Sequence, residues 1–167
     1  MRIRTFFAFF PILSGMLLKE IRLPQGFDKA AFYAVMASGK LKEINSELAI
    51  VAAAATPEKE AYEGALLMRK AGLLAKPAEK LKSFKAGCIK LESALLKDST
   101  NVEYHFLRLT IQEHAPRTVK YYKDLKKDRQ HILYSFKKLS PEVQKAVIDY
   151  SKNSKILRPG DFDPKNL

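Results

Sequence analysis

Apolar residues recur at steps of three and four positions along most of this chain, with polar residues between them. Leu41, Ile44, Leu48 and Val51 form one such row, and this spacing places apolar side chains on one face of an α-helix. No run shows the strict alternation of a half-buried strand, and long stretches rich in alanine, leucine, lysine and glutamate favour helix. The sequence therefore predicts an all-α fold.

Proline, glycine and capping residues divide this pattern into about six helices. Thr56–Glu58 and Ser140–Glu142 each offer an N-cap residue, a proline at the first helical position and an early acid, which together favour a helix start. Ser38 and Gly39 are expected to kink or divide the first helical region. The predicted helices span 28–55, 57–74, 77–98, 102–115, 118–139 and 141–156 of a single domain at 24–157, followed by a C-terminal tail at 158–167.

Connectors this short require neighbouring helices to lie antiparallel, which predicts a row of αα-hairpins. In the segment 61–101, small residues near the start of the first helix would allow close packing against the second helix, which ends in an Ala-Leu pair and a polar turn. These residues are Ala61, Gly64, Ala65, Ala94, Leu95, Asp98 and Asn101. The segment resembles a tetratricopeptide-type helix pair, with Ser99 where proline is usual and a longer second helix. The resemblance implies a short TPR-like right-handed superhelix that binds peptides on its concave face.

The first residues have the layout of a secretory signal peptide. Arg2 and Arg4 precede an apolar run from Phe6 to Leu18, which is short for a transmembrane span. No A-x-A cleavage site follows, so a core helix or a segment that contacts the membrane transiently is the alternative. The strings GALLMRKAG, FLRLTIQEHAP and VIDYSKNSKIL also resemble small, leader-bearing helical proteins of Bacteroidota genomes. Residues 1–23 therefore predict export to the periplasm or envelope, and otherwise a cytoplasmic protein.

The formal net charge of +12 raises the alternative of a nucleic-acid or polyanion binder. The densest basic segment is 117–138, where tyrosines alternate with lysines. Asp124 and Asp128 interrupt this segment, and lysine greatly outnumbers arginine in the chain. Bidentate hydrogen bonds to phosphates and base edges favour arginine. A solvated helix face is therefore the preferred interpretation, and nucleic acid is not the expected partner.

One polar stripe interrupts the otherwise apolar helix at 102–115 and is the candidate binding site. On the concave face of a superhelix, Arg108 would bind a partner's carboxylate, and the side-chain amide of Gln112 would bind the partner's backbone. In the alternative, Arg108 pairs internally with Glu63 or Glu92, because buried charges are seldom unpaired. The candidate binding residues are His105, Arg108, Gln112 and Glu113.

No catalytic motif is present in the sequence, so we expect a non-enzymatic protein without a cofactor. Asp124, Asp128 and His131 share one helix face and are a weak candidate for a divalent metal site, and hence for a hydrolase, but the nearby lysines would repel a cation. The single cysteine, Cys88, excludes an intramolecular disulfide and is expected to be a buried thiol. The sequence thus predicts a module that binds an unidentified protein or peptide.

Overall fold

A computed structural model describes residues 27–163 and 165 and confirms the all-α fold. Within those residues there are seven α-helices and no strand, and no helix is long and apolar enough to cross a bilayer. The predicted signal peptide or apolar helix at 1–23 lies outside the described residues. The helices are α1 (Lys29–Ser38), α2 (Leu41–Ala53), α3 (Lys59–Leu73), α4 (Pro77–Lys97), α5 (Val102–His114), α6 (Leu125–Ser135) and α7 (Pro141–Ser151).

Capping chemistry explains where several helices begin and end. The Asp28 side chain accepts a hydrogen bond from the backbone N–H of Ala30 at the start of α1. Gly39 ends α1 with φ 63°, a left-handed conformation that glycine adopts without strain. The predicted division at Ser38-Gly39 is therefore confirmed. Asn101 caps α5 by accepting hydrogen bonds from two backbone N–H groups of its first turn.

The predicted long helix at 118–139 is wrong. A 3-10 turn at Arg117–Val119 ends at Lys120, whose φ is 52°, and α6 begins only at Leu125. Between them the ring of Tyr121 packs edge-on against Phe84 of α4, with 5.6 Å between ring centroids. This contact with a distant part of the chain holds residues 120–124 out of the helix, so tertiary packing overrides the local preference.

The C-terminal segment is not a free tail up to residue 163. After α7 ends at Ser151, a 3-10 turn at Pro159–Phe162 folds back onto α6. The Phe162 ring is 7% exposed and lies 4.8 Å from the ring of Phe136. On the same side, Asp161 accepts hydrogen bonds from the guanidinium of Arg129. The segment therefore contributes to the core.

Helices α3 and α4 form a closely packed antiparallel hairpin. A Cβ built on Gly64 would lie 2.7 Å from the backbone nitrogen of Leu91, and one on Gly87 would lie 2.5 Å from the carbonyl oxygen of Gly64. Such distances leave no room for a methyl group. The predicted close packing through small residues is confirmed, because Ala61 and Ala65 are also fully buried.

Helix α5 lies between two hydrophobic cores, and ten of its thirteen residues are buried. On one side Leu107 joins a core with residues of α1 to α4 that includes Tyr62. On the other side Phe106 and Leu109 join a core with Ile132 and residues of α7. Contacts between α1 and α7 bring the first and last of the described helices together. The polar side chains of α5 consequently face other helices.

Candidate functional site

The centre of the candidate site is an ion pair between α5 and α6. Arg108 holds Asp128 through two parallel hydrogen bonds, 2.8 Å from Nε to Oδ2 and 2.7 Å from Nη2 to Oδ1. The carboxylate is fully buried and the arginine is 7% exposed. Two parallel charge-assisted hydrogen bonds of this kind add both energy and geometric specificity to the pair.

The pair favours the charged state of both partners despite its burial. Burial alone would raise the pKa of Asp128, but hydrogen bonds and charge from Arg108 and His105 outweigh it and keep that pKa below its ordinary value. Burial alone would lower the pKa of Arg108, and the bonds to Asp128 reverse this effect, so that pKa is raised. Asp128 and Arg108 are therefore an ionised pair inside the protein.

His105 joins the same cluster through both ring nitrogens. Its Nδ1 lies 2.7 Å from Asp128 Oδ1, and its Nε2 lies 2.9 Å from the carbonyl oxygen of Ser99. Because both partners are acceptors, the doubly protonated imidazolium is the form that satisfies both bonds. The ring also lies 4.1 Å from the ring of His131, centroid to centroid. His105 thus connects the start of α5 to α6.

Glu92 of α4 extends the cluster towards the surface. Its Oε2 accepts a hydrogen bond from Arg108 Nη1 at 3.0 Å, and its Oε1 accepts one from the Tyr121 hydroxyl at 2.5 Å. Burial and the Glu92 carboxylate raise the pKa of Tyr121 far above its ordinary value, so this hydroxyl remains a donor. Asp124 lies 3.9 Å from the same guanidinium. Three carboxylates therefore surround one arginine.

An apolar groove begins where this cluster reaches the surface. It has a volume of about 600 Å³ and runs between α4 and residues 118–121. Leu81 and Ile89, which are 49% and 68% exposed, form its outer wall. Cys88, expected to be buried, is half-buried and lines the groove, and burial raises the pKa of its thiol. Glu92 and Tyr121 lie at the end of the groove nearest Arg108.

The predicted polar stripe on α5 does not form an exposed surface. His105, Arg108 and Gln112 are each at most 7% exposed, and Glu113 accepts hydrogen bonds from the Tyr150 and Ser154 hydroxyls. Arg108 pairs with Glu92, as the internal alternative expected. The other expected candidate, Glu63, pairs with Lys90 instead. Arg108 is therefore not free to receive a partner's carboxylate.

The candidate metal ligands do not come together. Among the described residues no group of three or more histidine, cysteine, aspartate or glutamate side chains is placed to hold a metal ion. Asp128 is occupied by Arg108 and His105, while His131 Nε2 lies 3.3 Å from the carbonyl oxygen of Thr100. The helical spacing of Asp124, Asp128 and His131 therefore does not create a coordination site.

A second buried carboxylate, Glu103, is not among the candidate residues that the sequence pattern predicts. This side chain on α5 is 7% exposed and accepts hydrogen bonds from Lys29, Tyr33 and Tyr62, at 2.8 to 2.9 Å. Burial and the nearby Glu103 charge raise the pKa of Tyr33 well above its ordinary value. Its position in the first turn of α5 explains the helix start but does not predict partners on α1 and α3.

No protein-family model, curated protein or solved structure matches this chain.

Proposed function

We propose that this protein is a non-enzymatic interaction module that binds an apolar peptide segment in the groove between α4 and residues 118–121. The groove is the observation that carries the proposal, because it exposes apolar side chains beside a rigid polar cluster. Along α4 the distance from Leu81 to Glu92 is about 16 Å at the helical rise per residue. That length accommodates about three turns of a bound helix.

Charge at the inner end of the groove indicates which peptide would fit. The side chains of Glu92 and Asp124 are 34% and 42% exposed, and both share the single guanidinium of Arg108. Within the cluster the carboxylates of Glu92, Asp124 and Asp128 outnumber the cations, although Lys85 adds one positive charge to the groove wall. A lysine or arginine that follows the apolar residues of the peptide would neutralise the excess negative charge of this cluster.

The TPR-like resemblance supports this proposal in part. The support is the close packing of α3 against α4, and α4 also provides one wall of the groove. In an open superhelix each repeat contacts only its neighbours, whereas here α1 contacts α7. We therefore propose a closed bundle that contains one TPR-like helix pair.

Selection of short peptides from a random displayed library against the full chain tests the groove. We expect the selected peptides to share apolar residues followed by a lysine or arginine. Ile89→Lys should weaken their binding by about tenfold or more, since burial of an isoleucine side chain under the peptide contributes about 1.5–3 kcal/mol. Ile89 is 68% exposed, so this variant should fold normally.

The matched control is Leu96→Lys, on the same helix and with the same change in charge. Leu96 is 86% exposed and lies outside the groove, so this variant should bind the peptides as the wild type does. Equal binding by wild type and Ile89→Lys would contradict the groove assignment. Replacement of the peptide's basic residue by glutamine should also weaken binding if Glu92 and Asp124 attract it.

We also propose that the protein is exported to the periplasm or envelope. The support is the basic start at Arg2 and Arg4 and the apolar run at 6–18. The mass of the protein recovered from its own host should then lack about the first 15 to 25 residues, as signal-peptide lengths require. An intact chain in the cytosolic fraction would contradict export.

A further inference from the structure

The outward side of α6 and its flanking residues carries positive charge only. We call this surface the basic face. Within α6, Tyr134 lies seven and eight positions after Lys127 and Lys126, so these exposed side chains share the side of the helix opposite the buried Asp128. The other lysines are exposed in the turn before α6 and in the 3-10 turn after it. The basic face comprises Lys123, Lys126, Lys127, Tyr134, Lys137 and Lys138.

The acidic residues of this segment do not neutralise the basic face. Asp128 is fully buried against Arg108, and Asp124 lies on the same side of α6 as that arginine. Arg129 is turned away from the face, towards Asp161. Among the described residues no carboxylate lies within 4.0 Å of a lysine of the basic face. The sequence interleaves acids and bases, but folding separates them.

Tyr134 adds an exposed ring to this charged surface. Its side chain is 89% exposed, the highest value among the large hydrophobic side chains described. It lies between the lysines that precede it on α6 and the pair at 137–138. Within α6 the distance from Lys126 to Tyr134 is about 12 Å at the helical rise per residue, and the lysines of the two flanking turns extend the face at both ends. A tyrosine among lysines on a surface helix matches the charge and polarity of a membrane interface.

We propose that the basic face binds the surface of a membrane containing anionic lipid. Lysines act as point charges that an anionic headgroup layer attracts without fixed geometry, and the Tyr134 ring would lie at headgroup level. Nucleic acid is less well matched, because the face has no arginine for forked contacts and a single central aromatic ring for base stacking.

This surface is separate from the peptide groove. The groove lies along α4 and residues 118–121, whereas the basic face lies on the solvent side of α6. The Ile89→Lys variant should therefore bind vesicles at least as well as the wild type. Loss of peptide binding and loss of vesicle binding would then report on two different proposals.

Co-sedimentation of the full chain with vesicles tests the proposal. The vesicles contain either phosphatidylcholine alone or phosphatidylcholine with about 30% phosphatidylglycerol, a negatively charged surface. Binding to neutral vesicles measures any contribution of the apolar residues 6–18 and is subtracted. We expect added binding to the anionic vesicles that is lost at high salt, because salt screens exposed charges.

Two charge-reversal variants locate the binding surface. Lys127→Glu combined with Lys138→Glu should weaken anionic-vesicle binding by at least about 25-fold, or about fivefold for each lysine removed. The control combines Lys80→Glu with Lys82→Glu, two exposed lysines of α4, and should retain most of the binding. Tyr134→Ala should weaken binding at unchanged charge.

Three results would overturn the proposal. The first is equal vesicle binding by the wild type and the α6 variant. The second is an equal loss in the α4 control, because binding would then follow net charge and not the basic face. The third is tight binding of a single-stranded oligonucleotide that depends on Lys127 and Lys138, without binding to anionic vesicles, which would assign the face to nucleic acid.

Discussion

Replacing Asp128 with asparagine is expected to lower the free energy of unfolding by about 3–5 kcal/mol, which is typical when one partner of a buried ion pair is removed. The variant keeps the shape of the side chain but leaves the Arg108 guanidinium buried with only Glu92 and Asp124 nearby. The asparagine amide keeps one acceptor oxygen and puts an NH2 group in place of the other, so His105 and the two guanidinium N–H groups share a single acceptor. Urea denaturation at neutral pH measures the change.

Asp124→Asn is the matched control for this prediction. Asp124 immediately precedes α6 and approaches the same arginine, but its side chain is 42% exposed and lies 3.9 Å away. Partly exposed pairs of this kind contribute about 0–1 kcal/mol, so the free energy of unfolding of this variant should be close to that of the wild type. Equal losses of unfolding free energy in the two variants would contradict the assignment of Asp128 as the main partner of Arg108.

Acid should reduce the difference between the wild type and Asp128→Asn. Because the pKa of Asp128 is lower in the folded protein than in the unfolded chain, the pair contributes fully above the unfolded pKa of about 3.9. Its contribution is lost as the pH falls from there through the folded pKa. Glu113 also has a lowered pKa, but it is present in both proteins and its effect cancels in the comparison.

Gly87→Ala is expected to lower the free energy of unfolding by about 1–3 kcal/mol, the usual effect of forcing an extra methyl group into a tight core. The new Cβ would meet the Gly64 carbonyl oxygen at 2.5 Å and the Met68 backbone nitrogen at 2.8 Å. Both are backbone atoms of α3, so α3 and α4 would have to separate. The loss outweighs the gain of about 0.5–1 kcal/mol that alanine otherwise brings inside a helix.

Gly72→Ala provides the opposite expectation on the same hairpin. Gly72 lies in α3, and its added Cβ would have no heavy atom within 4 Å. That variant should therefore be as stable as the wild type or slightly more stable. Thermal unfolding followed by circular dichroism compares the two. Stabilisation by both alanines would contradict the close approach of α3 and α4.

Most helix positions could be predicted because local chemistry determines them. Pro77 and Pro141 each occupy the first helical position, as their fixed φ favours. The segment at 120–124 could not be predicted, because its shape depends on contacts of Tyr121 with α4 and on a left-handed Lys120. Distant contacts of this kind leave no periodic signal in the sequence.

The candidate site was predictable only in part. Helical spacing places His105 and Arg108 on one side of α5, and the rarity of unpaired buried charge points to Glu63 or Glu92 as an internal partner, of which the structure has Glu92. Spacing alone does not say which side of α6 faces inward. Spacing therefore groups Asp128 with Asp124 and His131 as a weak candidate for a metal site, whereas in the structure it is the main partner of Arg108.

A double-mutant cycle tests most directly whether Arg108 belongs to an internal ion pair and not to a binding surface. The free energies of unfolding of Arg108→Met, Asp128→Asn and the double variant are measured against the wild type. The structure predicts that the sum of the two single losses of unfolding free energy exceeds the loss in the double variant by about 2–3 kcal/mol, because the two residues are in direct contact. Losses that add to within about 0.5 kcal/mol would contradict it.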